Sequence, residues 1–256
     1  MTSLSTPAIL LRAINYGESD RVVTLLGRTT GRLSALARGA RKSQKRFGGG
    51  LDLCAIGEAG LRERNGAELL TLERFDLQQS YASFASDLAR MAHAAYAAEL
   101  VSKLCAPRQA EVEVYDWLYG FLGALDRDGA GAERLRVFEL GLLARLGFGP
   151  MVATCAVCGG ARFPAGVPAA EVAFRWDPGR GGAICTACGQ KGRPIRAVVR
   201  LALVRWAATP IDATAGEPVA ADVNRGARNA LADVLKLHMS GPLQSVEFIA
   251  KMGGDV

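Results

Sequence analysis

The sequence predicts an α+β protein of more than one domain: a small N-terminal β-barrel, then helices, a four-cysteine clasp, and helices again. Three observations predict it. Up to about residue 80 the chain is short apolar runs cut by turn signals. After Ser80 the apolar residues recur at helical spacing. Between Cys155 and Gly189, four of the six cysteines fall in two C-x-x-C-G units. The 256 residues, half of them apolar, suffice for a real core and for one to three domains.

The barrel comes first. The runs "AILLRAI", "RVVTLLG" and "GRLSALARG" are split by "NYGESD" and "RTTG". "LDLCAIGEAGLRER" and "AELLTLERFDLQ" flank Asn65-Gly66, a hairpin signal, because a type I′ turn needs positive φ at both central residues. Five short strands in so few residues fit a small closed barrel, of which the OB-fold is one. Spacing alone also fits any small antiparallel sheet.

The helices follow. In "SDLARMAHAAYAAELVSKLC", Leu88, Met91, Ala95, Leu100 and Leu104 form a stripe, with Ser86 or Asp87 as cap. Pro107 breaks the run. "EVEVYDWLYGFLGAL" and "AERLRVFELGLLARLG" read as two more helices, the last stopped by Gly147 and Pro150. Beyond the cysteines, "IRAVVRLALVRWAA" and "DVNRGARNALADVLKLHM" are helical, and "GPLQSVEFIAKMGGDV" is a docked or fraying tail.

Cys155-x-x-Cys158 and Cys185-x-x-Cys188 are separated by 26 residues. A two-residue gap lets both thiolates of a pair face one ion, and the following glycines, Gly159 and Gly189, let amides approach the sulfurs. The intervening "AEVAFRWDPGRGGAI" reads as a hairpin that brings the second pair beside the first. Four thiolates favour one structural Zn²⁺ with no open coordination position; iron is a lesser choice of metal, and a redox pair or stray cysteines are the alternatives. Cys54 and Cys105 are isolated and read as ordinary buried thiols.

Charge is segregated. The net charge is +6, but Arg21 to Leu51 holds eight Lys or Arg and no acid, and Pro178 to Ile211 holds six and no acid. Segregated positive charge suggests a polyanion partner; a solvated loop is the bland alternative. In "RGARKSQKRFGGG", Arg38, Arg41, Lys42, Lys45 and Arg46 are expected to contact DNA phosphates. Phe47 fits either a base stack or a plug in the barrel end, with the plug favoured. Among Lys191, Arg193, Arg196, Arg200 and Arg205, the pair Arg196 and Arg200 lies one helical turn apart and offers a second DNA surface, unless their stems simply pack on the core. The N-terminus has no charged leader before the short run Ala8 to Leu11, and no stretch approaches a membrane span, so the expected location is cytosolic with no membrane partner.

With these pieces in order, the chain resembles the bacterial RecO family of recombination mediators and DNA repair proteins. "AILLRAINYGESDRVVTLL" is similar to its opening strands, "RGARKS" to its basic loop and "YAAELVSKL" to its first helix. "FELGLLARLGFGP" is similar to the helix leading to its metal site, and "CAVCG" and "GGAICTACG" to its two knuckles. "LDLCAI" departs from a pattern that often has a proline and an aromatic there. The resemblance implies an OB-fold over residues 1–80, a helical domain over 81–150 and 191–256, and a zinc finger inserted over 151–190. It implies binding of single- and double-stranded DNA and annealing of complementary strands. It also implies partnership with RecR and single-strand-binding protein, help in loading RecA, and a cytoplasmic, nucleoid-associated place. The family's members are not enzymes.

The residues agree that catalysis is not expected. His93 and His238 have no acid one helical turn away, and no phosphate loop, nucleophile elbow or H-E-x-x-H occurs. Two rivals stand beside the resemblance. One is an RNA-binding or transcription-associated zinc-ribbon protein. The other is a zinc-stabilised enzyme using Glu99, Glu111 and Asp116, which read more simply as a solvated helix face.

Overall fold

A computed structural model of the chain describes residues 2–47, 51–63, 69–160, 174–189, 191–214 and 218–246, without the side chains of Gln44 and Lys45. The chain divides into two compact units. One is Met1–Arg127 with Leu243–Ile249; the other is Asp128–Pro242 with Ala250–Val256.

The first unit opens with strands β1 (Ser3–Tyr16), β2 (Asp20–Gly27), β3 (Gly31–Ala37), β4 (Ile56–Arg62) and β5 (Leu70–Gln79). They close into a barrel in the order β1-β2-β3-β5-β4, the five-stranded closure expected of an OB-fold. All neighbours are antiparallel except β3 with β5. Alternation fixes the faces. In β3, Leu33, Ala35 and Ala37 are buried while Arg32, Ser34 and Leu36 are only half-buried. β4 and β5 pair as the predicted hairpin, although Asn65 and Gly66 themselves lie outside the described residues.

β1 serves two neighbours. Ser3–Ile9 pairs with β4, and the strand continues along β2 with a register shift between Leu10 and Arg12. Such a bulge bends a strand and exchanges the faces of every residue beyond it. Ala8 and Leu10 point into the core before the shift, and Ala13 packs on it after. Arg12, Ile14 and Tyr16 therefore face outward. The short helix α1 (Gln44–Phe47) sets Phe47 in the barrel core, 2 % exposed, so Phe47 is the plug and not a stacking platform. In the departure at "LDLCAI", Cys54 takes φ +63 and is fully buried; its amide donates to the Leu10 carbonyl at 2.8 Å, fastening the turn into β4 to β1.

Three helices complete this unit: α2 (Ala82–Ser86), α3 (Leu88–Leu104) and α4 (Val112–Asp128). Asp87 caps α3 by accepting from the amides of Ala89 and Arg90. The predicted α3 stripe is displaced. Of its five residues only Leu100 is fully buried, and Leu88 is exposed. Ala92, Ala94, Tyr96, Ala97, Ala98 and Val101 are buried instead, because small side chains let the helix lie close on β1. Arg28, just after β2, grips Asp116 of α4 through two 2.9 Å hydrogen bonds, and Arg32 of β3 donates to the Cys105 carbonyl at 2.9 Å. The tail docks here as well, with the amides of Gln244 and Ser245 donating to Glu99.

The second unit holds α5 (Ala132–Arg145), the strands β6 (Phe174–Asp177), β7 (Gly182–Cys185) and β8 (Arg193–Ile195), then α6 (Ala197–Ala207) and α7 (Ala221–His238). The three strands form one antiparallel sheet in the order β7-β6-β8. α5 is buried almost all round. Leu135, Phe138, Leu142 and Leu143 share the interior with Arg134, Arg136, Glu133 and Glu139. Buried charges survive when paired. Arg134 donates to Thr214 and Gly129, Arg136 pairs with Glu139 at 2.9 Å, and Glu133 accepts from Arg205 and Trp206.

Candidate metal centre and nucleic-acid loop

The hairpin β6–β7, turning through "DPGRGG" as predicted, carries Cys185 at its end and brings it to the first knuckle. That knuckle is held by Met151, whose amide donates to Gly181 and whose carbonyl accepts from Ala183, both at 2.8 Å. The ligand sulfurs of Cys155, Cys158, Cys185 and Cys188 then lie within 4.8 Å of one another, close enough to hold one metal ion. A tetrahedral centre with metal–sulfur bonds of ~2.3 Å sets sulfurs about 3.8 Å apart. Cys158 and Cys185 stand at 4.0 Å.

Backbone amides prepare these sulfurs for negative charge. Val157 and Cys185 donate to the Cys155 sulfur, both at 3.4 Å, and Gly160 donates to the Cys158 sulfur at 3.3 Å. Burial raises the Cys155 thiol, but amide hydrogen bonds from Cys185, Cys158 and Val157 outweigh it and bring it down to about 6. Hydrogen bonds with Cys158 and Cys185 push Cys188 up to about 12, the mutual opposition of four crowded thiols that a cation relieves. The glycines divide the work differently from expectation. Gly159 is needed for its φ of +64, while Gly160 makes the close approach: a Cβ there would stand 2.9 Å from the Cys158 sulfur.

Two side chains of the same unit fasten the clasp. Trp176 of β6 is buried and donates its indole N–H to the Ala230 carbonyl of α7 at 3.1 Å. Arg200 of α6 donates to the carbonyls of Val152 and Ala153, at 2.9 and 2.7 Å, and lies over the Phe174 ring at 3.5 Å. This corrects the place of Arg200 in the expected second DNA surface. Arg200 is 2 % exposed, so its guanidinium is spent inside the fold. Arg196 stands just ahead of α6 as its cap residue and is paired with Asp222 at 2.6 Å. Arg193 pairs with Asp233 at 3.0 Å and Arg205 with Glu133 at 2.8 Å.

The first basic run sorts itself in the same way. Arg28 and Arg32 are taken up as above, and Arg21 donates to Asn15 and the Leu51 carbonyl. Arg38, Arg41 and Lys42 remain exposed on the loop after β3, and Arg46 on α1 that follows it. The side chain of Lys45 lies outside the described residues. The loop is braced on the β1–β2 turn. Gly39 donates to the Asp20 carboxylate at 2.8 Å, and Arg41 donates through its amide to Ser19 and through its guanidinium to Glu18, both at 3.0 Å. Arg46 closes it by donating to the Arg38 carbonyl at 2.6 Å. Each guanidinium keeps donors for an anion in solvent.

The carboxylates of the enzyme rival do not converge. Glu99 holds the tail, Asp116 holds Arg28, and Glu111 accepts from Gln109. His93 is bonded to the Ala89 carbonyl and His238 stacks on Phe148.

Comparison with known proteins agrees along the whole chain. Residues 1–81 match the family model described as recombination protein O N terminal, and residues 85–247 match recombination protein O C terminal. The chain is 40% identical to DNA repair protein RecO of Anaeromyxobacter dehalogenans (strain 2CP-C), over 99% of this chain and 98% of that protein. It is 35% identical to the protein of that name from Myxococcus xanthus, over 97% of each, and 34% identical to that from Geobacter sulfurreducens, over 98% and 99%. Both halves being matched in order, and full-length relatives sharing more than a third of their residues, the chain belongs to the RecO family.

Proposed function

We propose that this protein is a non-catalytic DNA repair and recombination mediator. It binds single- and double-stranded DNA and anneals complementary strands. With RecR it helps load RecA onto strands coated by single-strand-binding protein, acting in the cytoplasm at the nucleoid. The observation that carries this reading is the braced, exposed basic loop on a closed barrel, in a chain of the RecO family. Cations on a fixed loop supply sequence-independent, salt-sensitive affinity for phosphates. Arg38, Arg41, Lys42, Lys45 and Arg46 are its contacts. One Zn²⁺ held by Cys155, Cys158, Cys185 and Cys188 is structural, because four thiolates leave no open position. The division into an OB-fold over 1–80, a helical domain over 81–150 and 191–256, and a finger over 151–190 belongs to the same reading.

The experiment is strand annealing at modest salt without ATP. Acceleration of complementary DNA strands over the spontaneous rate is expected. No acceleration, or binding to RNA in clear preference to matched DNA, would move the protein to the RNA-binding rival.

A further inference from the structure

The outer face of the barrel carries apolar side chains beside the basic loop. Beyond the bulge in β1, Ile14 and Tyr16 face outward and are 47 % and 62 % exposed. Ile14 pairs across to Val22, and Val22 to Leu36, giving a row of apolar residues over three strands. Single exposed apolar residues are ordinary on protein surfaces. Here β1 runs on from Ile14 to Tyr16 at the β1–β2 turn, and that turn is where the basic loop is tied. Tyr16 pairs with Asp20, which accepts from Gly39, while Arg41 is bonded to Ser19 and Glu18 in the turn itself. An exposed aromatic ring thus stands at the same end of the barrel as Arg38, Arg41 and Lys42.

Rings beside cations match the two chemistries of a single strand, flat bases and charged phosphates. A duplex offers the phosphates but keeps its bases stacked inside. We propose that Tyr16 stacks on an unpaired base while Arg38, Arg41 and Lys42 hold the adjoining phosphates, making the outer face of β1, β2 and β3 the track for single-stranded DNA. Charge complementarity selects a polyanion, and an exposed ring beside the cations matches the alternation of base and phosphate in a single strand. The inference rests on the DNA binding proposed above and adds to it a residue that distinguishes single from double strands.

The test compares the full-length protein with Tyr16→Ala and Tyr16→Phe. The probes are an oligo(dT), an abasic oligomer of equal length, and a duplex. Tyr16→Ala should weaken oligo(dT) binding by about 5-fold or more, the effect of losing one stacked base. Abasic and duplex binding, the salt slope and the melting temperature should stay unchanged, and Tyr16→Phe should bind like the parent. If the parent binds all three probes and Tyr16→Ala binds oligo(dT) equally well, the stacking inference fails alone. Equal losses on oligo(dT) and abasic strands would overturn it too, as would loss of binding to single-strand-binding protein with DNA binding intact. If the parent itself binds no probe, the proposed DNA binding fails and the inference falls with it.

Discussion

Arg200 and the four cysteines depend on one another through the backbone of the first knuckle. The carbonyls of Val152 and Ala153 accept from Arg200 and stand within three residues of Cys155. Burial lowers the Arg200 pKa, so two carbonyls and the face of Phe174 are what keep a cation there. Arg200→Ala leaves both carbonyls facing a hole and should destabilise the protein by roughly 2–3 kcal/mol. Urea unfolding checks this; a variant as stable as the parent would show the contacts to be incidental. The cysteines make the sharper test. Cys185→Ser removes one ligand and strands three, so metal analysis should find less than one zinc per chain and an earlier melting transition. Full zinc content with unchanged melting would end the four-thiolate assignment.

At the scale of elements, the segment from Arg38 to Arg46 is braced through carbonyls, one carboxylate and one hydroxyl, while Arg38, Arg41, Lys42 and Arg46 stay in solvent. Each phosphate contact on a single strand contributes about −0.7 to the log–log salt slope. Arg38→Ala with Lys42→Ala should therefore flatten that slope by about 1.4, equally for all sequences. A loss confined to one sequence would mean base reading instead. The charge of the loop was legible in the sequence because five cations cluster within nine residues. So were the clasp, whose two-residue gaps are local, and β3, whose alternation of buried and half-buried residues is visible in "RLSALA". What was not legible depends on contacts made elsewhere. The α3 stripe moved because alanines, ambiguous by hydropathy, take most of the buried positions. Arg196 and Arg200 are one turn apart in sequence, but the helix begins at Ala197, between them. Tyr16 faces out because of a bulge that no spacing rule announces. The buried Arg134, Arg136 and Glu139 of α5 look in sequence like any solvated face.

For the whole molecule, the question is where its +6 net charge can act. The two basic runs are similar in length but differ in what opposes them. In the second, Arg193, Arg196 and Arg205 each meet a carboxylate, and Arg200 is buried. In the first, Arg38, Arg41, Lys42 and Arg46 stand exposed with their bracing made to carbonyls and a hydroxyl. Annealing requires that the repulsion between two strands be screened, and an arginine already matched by an acid screens little of it. The loop should therefore dominate. Arg196→Ala is expected to anneal naked strands within about twofold of the parent, the range of an ordinary surface change. Arg38→Ala with Lys42→Ala should slow annealing at modest salt, and the deficit should shrink as salt rises and weakens both proteins' contacts. The same ranking should hold on strands coated by single-strand-binding protein if the loop meets the strand there too. A fluorescence annealing assay without nucleotide, run across a salt series, measures all of this. Should Arg196→Ala prove the slower variant, charge on the second unit would have to reach DNA despite its pairing with Asp222, and the loop would lose its primacy.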